Sequence, residues 1–172
     1  MKYSEIYKKW RDNPIEFWKK NAEDVSWIKF PEKILKKKND YFYEWFSDGI
    51  LNTCYNAVDK NILEGRGNQV AIYYDSPITN SKSKLTYNEL KSKVEEFAGA
   101  LNKYNISKGD RVIVYMPMIP EAIIAVLAIA RIGAVHSVVF GGFAAKELAV
   151  RIDDCSPKLI ISASCGIEPG RI

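Results

Sequence analysis

"RVIVYMPMIPEAIIAVLAIARIGAVHSVVFGGFAAKELAVRIDDCSPKLIISA", residues 111–163, decides the fold of this chain. It opens on RVIVYM, a short β-branched run that reads as a buried strand. Pro120 suits a first helical turn and Gly133 a helix stop, so the stretch between them predicts a helix. AVHSVVF reads as the next strand, AAKELAVRIDD as the next helix and KLIISA as a third strand. Strands and helices alternating through short connections predict a parallel sheet with right-handed crossovers and helices packed on its faces. The strand runs lack strict in–out alternation, which predicts burial on both faces. The fold class is α/β.

The apolar run from Ile119 to Phe140 also raises the question of a membrane span. Glu121 and Arg131 interrupt it, Pro120 opens it and Gly133 breaks it. A spanning helix needs about 20 apolar residues with few or no charges, so the run predicts a buried helix followed by a buried strand.

Working upstream, Thr86 and Glu89 form a T-x-x-E capping box ahead of a periodic helix. Leu90, Val94, Phe97, Ala98 and Leu101 fall on one face of it. QVAIYYD is a β-rich run, and the polar loop SPITNSKSK leads to a short strand KLT, together predicting an antiparallel ribbon. EGRGNQ, residues 64–69, reads as a turn. GILNTCYNAVDKNI reads as a helix with Asn52 as N-cap and Cys54, Ala57, Val58 and Ile62 on one side. Before it, Trp10, Phe17, Trp18, Trp27, Trp45 and Phe46 are expected to pack short helices and loops against a larger body.

Composition excludes several functions. At 172 residues, 47% hydrophobic and 27% charged, the chain has the make-up of an ordinary globular domain. Its formal charge of +4 comes from scattered lysines rather than one basic face, which argues against a nucleic-acid binder. Cys54, Cys155 and Cys165 show no metal spacing and no CxxC, and read as free thiols in a reducing compartment. MKYSEIYKKW lacks the apolar core of a secretory signal, and its acidic residue argues against a transit peptide. The expected location is cytoplasmic, with small-molecule partners and neither nucleic acid nor membrane.

Candidate site residues are few. Gly141 and Gly142 follow a strand and precede a helix, at the sheet edge where open α/β folds bind ligands. They match neither G-x-G-x-x-G nor G-x-x-x-x-G-K-[ST], so a tight turn and a ligand contact both stay open. His136, the single histidine, lies near the start of its strand, away from the ligand edge, and reads as a core or edge residue rather than a catalytic one. Arg171, beside Gly170, is suited to a phosphate or to a solvated loop. No metal cluster and no nucleophile–base pair is assembled from these residues.

YMPMIPEA followed by ARIGAVHSVVFGGF resembles the AMP-forming short-chain acyl-CoA synthetases, the acetyl- and propionyl-CoA synthetase group of adenylate-forming enzymes. EFWKKNAEDVSWIKFPEKIL and YEWFSDGILNTCYNAVDKNI are similar to the N-terminal cap of that group. LNTCYNAVD, GRGNQVAIYYDSPIT and SASCGIEPGR lie closer to the propionyl-CoA synthetase pattern.

The resemblance implies a cap over residues 1–65 and the beginning of an AMP-binding α/β domain over 66–172. It also implies that a short carboxylic acid, ATP with Mg²⁺ and CoA are the substrates of the complete enzyme. An acyl-adenylate forms first, and the CoA thiol then attacks it. In such enzymes the GGF turn and the loop ending in GR line the entrance for the nucleotide end of CoA. Those positions are Gly141, Gly142, Glu168, Pro169, Gly170 and Arg171 in this chain. Acetyl-type members tend to carry an arginine where Glu168 stands, so the charge is less favourable to an anion, although the propionyl-type pattern shares this feature. The phosphate loop, the ribose-holding carboxylate, the acyl pocket and the lid lysine are not in the sequence. The expectation is therefore an N-terminal fragment inactive on its own, with no catalytic residue and no tightly bound cofactor. The alternative is a CoA-binding or scaffold module, or one half of a split enzyme completed by the remainder of the chain.

Overall fold

The structure, a computed structural model, describes residues 2–142 and 144–167. The chain divides into two compact units at Asn52 and Thr53.

The first unit holds two helices, α1 (Tyr3–Asp12) and α2 (Pro14–Ala22), and four short strands. The strands are β1 (Trp27–Lys29), β2 (Leu35–Lys37), β3 (Tyr43–Trp45) and β4 (Ile50–Leu51). Asn13 ends α1 and caps α2, its side-chain oxygen accepting from the Glu16 amide at 3.3 Å, with Pro14 at the first helical position. β1 pairs with β4 and β2 with β3, both antiparallel. The aromatic residues pack on one another: Trp18 meets Trp45 edge-on at 5.8 Å, and Trp27 lies 5.6 Å from Phe46. Packing encloses them less than their number suggests, since Trp10, Trp18 and Trp45 stay exposed and Phe17, Trp27 and Phe46 are half-buried. A unit of this size has too little volume to surround so many rings.

The second unit opens on a helical stretch containing two π-type segments, Tyr55–Asp59 and Ile62–Arg66. The expected helix is there, but wider in its winding, and Gly65, with φ at +83°, breaks it inside the stretch 64–69 that the sequence assigns to a turn. Strands β5 (Val70–Ser76) and β6 (Ser81–Thr86) then form the expected antiparallel ribbon. β6 is longer than KLT because Ser81, Lys82 and Ser83 pair with Ser76, Asp75 and Tyr74, leaving only residues 77–80 as the loop.

Helix α3 (Tyr87–Lys103) begins at the capping box: Thr86 Oγ1 accepts from the Glu89 amide at 3.3 Å, and Glu89 Oε2 accepts from the Thr86 amide at 2.8 Å. β7 (Arg111–Met116), α4 (Pro120–Arg131), β8 (Val135–Phe140), α5 (Ala145–Cys155) and β9 (Leu159–Ser162) follow in the predicted alternation. The three strands form one parallel sheet in the order β8–β7–β9. The fold is a layered α/β arrangement built on a parallel sheet.

The core lies between α3, α4 and one face of β7. Leu90, Val94, Ala98 and Leu101 meet Ile124, Ala125, Ala128 and Ile129 over Val112 and Val114. Ile113 and Val139 are buried on the opposite face. Since β8 and β9 flank β7 on opposite sides, right-handed crossovers put α4 on one face and α5 on the other.

The expected two-sided burial of all strands holds for β7 alone. On β8, Val138 is 62% and Phe140 59% exposed, and His136 is exposed as well. β8 is an edge strand, so its outward residues lack the neighbour that encloses Val112 and Val114.

Candidate functional site

The order β8–β7–β9 sends the connections after β7 and β8 over opposite faces of the sheet. Such a reversal leaves a crevice outside the carboxyl ends of the strands, which is where open α/β sheets hold ligands. Here the crevice edge consists of Pro117–Ile119 after β7, Gly141–Gly142 after β8 and residues 163–167 after β9. α4 starts beside it, with Pro120 at the first helical position and the Ala122 amide donating to the Ile119 carbonyl at 3.0 Å.

Gly141 and Gly142 thus lie where the sequence puts them, at the C-terminal end of β8. Neither has a positive φ, so left-handed backbone is not the reason for glycine at either position. Space is the reason at Gly141: a Cβ there would lie 2.9 Å from the Met116 carbonyl carbon and 3.0 Å from Pro117 N. At Gly142 a Cβ would lie 2.7 Å from Cε1 of the Phe140 ring. Glu168, Pro169, Gly170 and Arg171 lie outside the described residues. His136 pairs in register with Val112 at the other end of the strand, apart from the crevice.

Charge is distributed unevenly about the sheet. Residues 116–119, 140–142 and 163–167 carry no charged side chain. The opposite end is tied by polar contacts. Asp110 Oδ2 accepts from Lys158 Nζ at 2.9 Å, from the Ser107 amide at 2.8 Å and from Ser107 Oγ at 3.0 Å. Lys158, followed by the Ser107 amide and hydroxyl, holds the Asp110 carboxyl down at about 2. Arg111 donates from Nε to the Cys155 carbonyl at 2.7 Å and from Nη2 to the Ser156 carbonyl at 3.1 Å, fastening the end of α5.

A second network ties the helices. Arg131, in the last turn of α4, donates from Nη1 and Nη2 to the two oxygens of Asp59 at 2.7 and 3.0 Å. Nη2 also reaches Glu95 Oε1 on α3 at 2.7 Å, and Nη1 the Cys54 thiol at 3.6 Å. Asp59 is only 9% exposed. Burial alone would push its carboxyl up, but the Arg131 hydrogen bonds and charge, with Lys91 nearby, hold it below the ordinary range. The same burial raises the Cys54 thiol against the opposing pull of Arg131, which makes it a packing group rather than a nucleophile.

In an α-helix, residues five apart lie roughly 140° apart about the axis. The π-type winding reduces that angle, so Cys54 and Asp59 both meet one guanidinium nitrogen. Sequence reading missed this network. Its one local trace is an arginine closing an otherwise apolar helix.

Among the described residues, no group of three His, Cys, Asp or Glu is placed to hold a metal ion. No described helix is long and apolar enough to cross a membrane. What the crevice edge offers is backbone, small residues and apolar side chains, which suit close approach of a ligand rather than bond-making chemistry.

The model for the acetyl-coenzyme A synthetase N-terminus matches residues 3–57, and the model for AMP-binding enzymes matches residues 60–169. The chain belongs to the AMP-binding enzyme family. Within it, similar proteins include acyl-CoA synthetase short-chain family member 3, mitochondrial, of Bos taurus and of Homo sapiens. Each is 54% identical over 159 residues, covering 92% of this chain and 23% of the relative. The acetyl-coenzyme A synthetase of Streptomyces avermitilis is 45% identical over 168 residues, covering 98% of this chain and 26% of the relative. The chain therefore spans about a quarter of the length of these AMP-binding relatives.

Proposed function

We propose that this chain is the N-terminal part of an AMP-forming short-chain acyl-CoA synthetase. The complete enzyme would join a short carboxylic acid to CoA at the expense of ATP, releasing AMP and pyrophosphate. The observation that carries this reading is 54% identity to short-chain acyl-CoA synthetases along 92% of the chain. Propionate is the proposed acid over acetate, because LNTCYNAVD and SASCGIEPGR follow the propionyl-type pattern. Residues 1–65 would serve as the cap and residues 66–172 as the start of the adenylate-forming domain.

In this reading the chain supplies one wall of the CoA entrance. Gly141 and Gly142 let backbone approach the nucleotide end of CoA, and the stretch Glu168, Pro169, Gly170 and Arg171 brings a guanidinium that can pair with phosphate. ATP and Mg²⁺ are substrates of the complete enzyme and would be held by other parts of it. Phosphoryl and adenylyl transfer depend on positioning and charge neutralisation, and the described crevice edge carries no charge for either. The proposed compartment is the cytoplasm, whose reducing conditions suit three free cysteines.

Two measurements test the reading. Titration of the labelled chain with CoA should shift the amides of Phe140, Gly141, Gly142, Gly170 and Arg171, and perturbations confined to the β5–β6 ribbon would overturn it. Incubation with propionate, ATP and CoA should give no thioester, and turnover by the 172-residue chain would contradict its role as a single wall of the site.

A further inference from the structure

The two glycines of the crevice edge are adjacent in sequence and unlike in surroundings. The three atoms nearest to a Cβ on Gly141 all belong to backbone: the Met116 carbonyl carbon at 2.9 Å, its oxygen at 3.0 Å and Pro117 N at 3.0 Å. These atoms end the central strand, whose residues 112–114 are fully buried. Pro117 has a fixed φ, so the loop has little freedom to rotate aside. At Gly142 the nearest atoms all belong to the ring of Phe140, at 2.7, 3.3 and 3.5 Å. That ring is more than half exposed and can turn about its side-chain torsions.

We propose that Gly141 is a positioning residue: it is the spacer that lets the turn between β8 and α5 close onto the loop between β7 and α4, and so sets the width of the crevice. Gly142 does not space the two loops, because its Cβ direction points at the Phe140 ring. A methyl group at Gly141 has to push the two loops apart, whereas one at Gly142 is absorbed by a side-chain rotation. The assignment rests on the CoA reading for the identity of the ligand, but the spacing itself is a property of the free chain.

The test compares Gly141→Ala with Gly142→Ala in the 172-residue chain by amide NMR, first without ligand and then with CoA. Without ligand, Gly141→Ala should shift the amides of Met116, Met118 and Ile119, and Gly142→Ala should leave Met118 and Ile119 in place while moving signals around Phe140. With CoA, folded Gly141→Ala should bind about tenfold more weakly, a loss that a purely structural contact would not produce once the fold is intact. Unmoved Met118 and Ile119 amides in Gly141→Ala, or equal shifts from both substitutions, would overturn the assignment. So would unchanged CoA affinity in a folded Gly141→Ala chain whose parent binds CoA. If the unsubstituted chain shows no CoA response at Gly141 and Gly142, the CoA reading fails while the ligand-free comparison still decides the spacer role. Should Gly141→Ala fail to fold, a nuclear Overhauser contact between Gly141 Hα and Pro117 Hδ in the unsubstituted chain supports the spacer, and its absence refutes it.

Discussion

At its N-terminal end the β8–β7–β9 sheet is tied by Asp110, Arg111 and Lys158. At its C-terminal end the loops leaving β7 and β8 meet through Gly141, Met116 and Pro117, with no charged side chain in the described segments. α4 runs back from the second end to the first, which places Arg131 and its partners on the side of the ties. The difference separates two tasks. Ion pairs and capped carbonyls hold the strands in register at one end, and the described segments of the other end are close-packed and carry no charge.

Substitutions at the two ends should therefore differ in kind, and the largest effect is expected at Arg131. Arg131→Met leaves Asp59 buried beside Cys54 without its hydrogen-bonded partner, with only Lys91 at 3.7 Å, and should cost about 3 kcal/mol in urea unfolding. Adding Asp59→Leu should recover part of that loss, because an apolar pair needs no compensation. A full loss in the double variant would show that packing rather than charge dominates there.

Next comes Gly133, which ends α4 with φ at +75° while its carbonyl accepts from the Gly109 amide at 3.0 Å. Gly133→Ala should cost about 1 kcal/mol by the same measurement, because alanine is strained at positive φ.

A smaller effect belongs to Asp110, and it is read as pH dependence. Its carboxyl titrates at about 2 when folded, against 3.8 for the ordinary group. The unfolded chain therefore takes up the proton first as pH falls. The contribution is complete above about pH 4 and disappears as pH drops towards 2. Asp110→Asn should flatten the melting-temperature profile in that interval and leave the profile above it parallel to the parent's.

The smallest effect is predicted at the opposite end. Met118 is 81% exposed, so Met118→Ser should change stability by less than about 0.5 kcal/mol. A large loss there would break the contrast between the two ends.

How much of this was legible in the sequence varies with how local each cause is. α3 announces itself through Thr86 and Glu89, and α4 through Pro120 and Gly133, because caps and stops act within a few residues. The strand order was open to reading only as far as "parallel", since which side of β7 each later strand takes is a tertiary choice. AVHSVVF misled in one respect: an apolar run says that a strand is able to be buried, not that a neighbour covers both its faces. The pairing of Asp59 with Arg131 spans 72 positions and leaves no periodic trace. The π-type winding that brings Cys54 and Asp59 to one nitrogen is equally invisible to helical spacing. At the site, the sequence located Gly141 and Gly142 but not their unlike neighbours, because Met116 reaches Gly141 through strand pairing and the Phe140 ring reaches Gly142 through its side-chain rotamer.

The Arg131 guanidinium has a consequence for how the chain assembles. Its partners lie 72 residues away at Asp59 and 36 away at Glu95, so each of these two contacts needs a large loop to close first. A contact that arrives so late gives little help in climbing the folding barrier and much resistance to coming apart. Arg131→Met should accordingly accelerate unfolding far more than it slows refolding in stopped-flow kinetics, making this one side chain a brake on the loss of the fold.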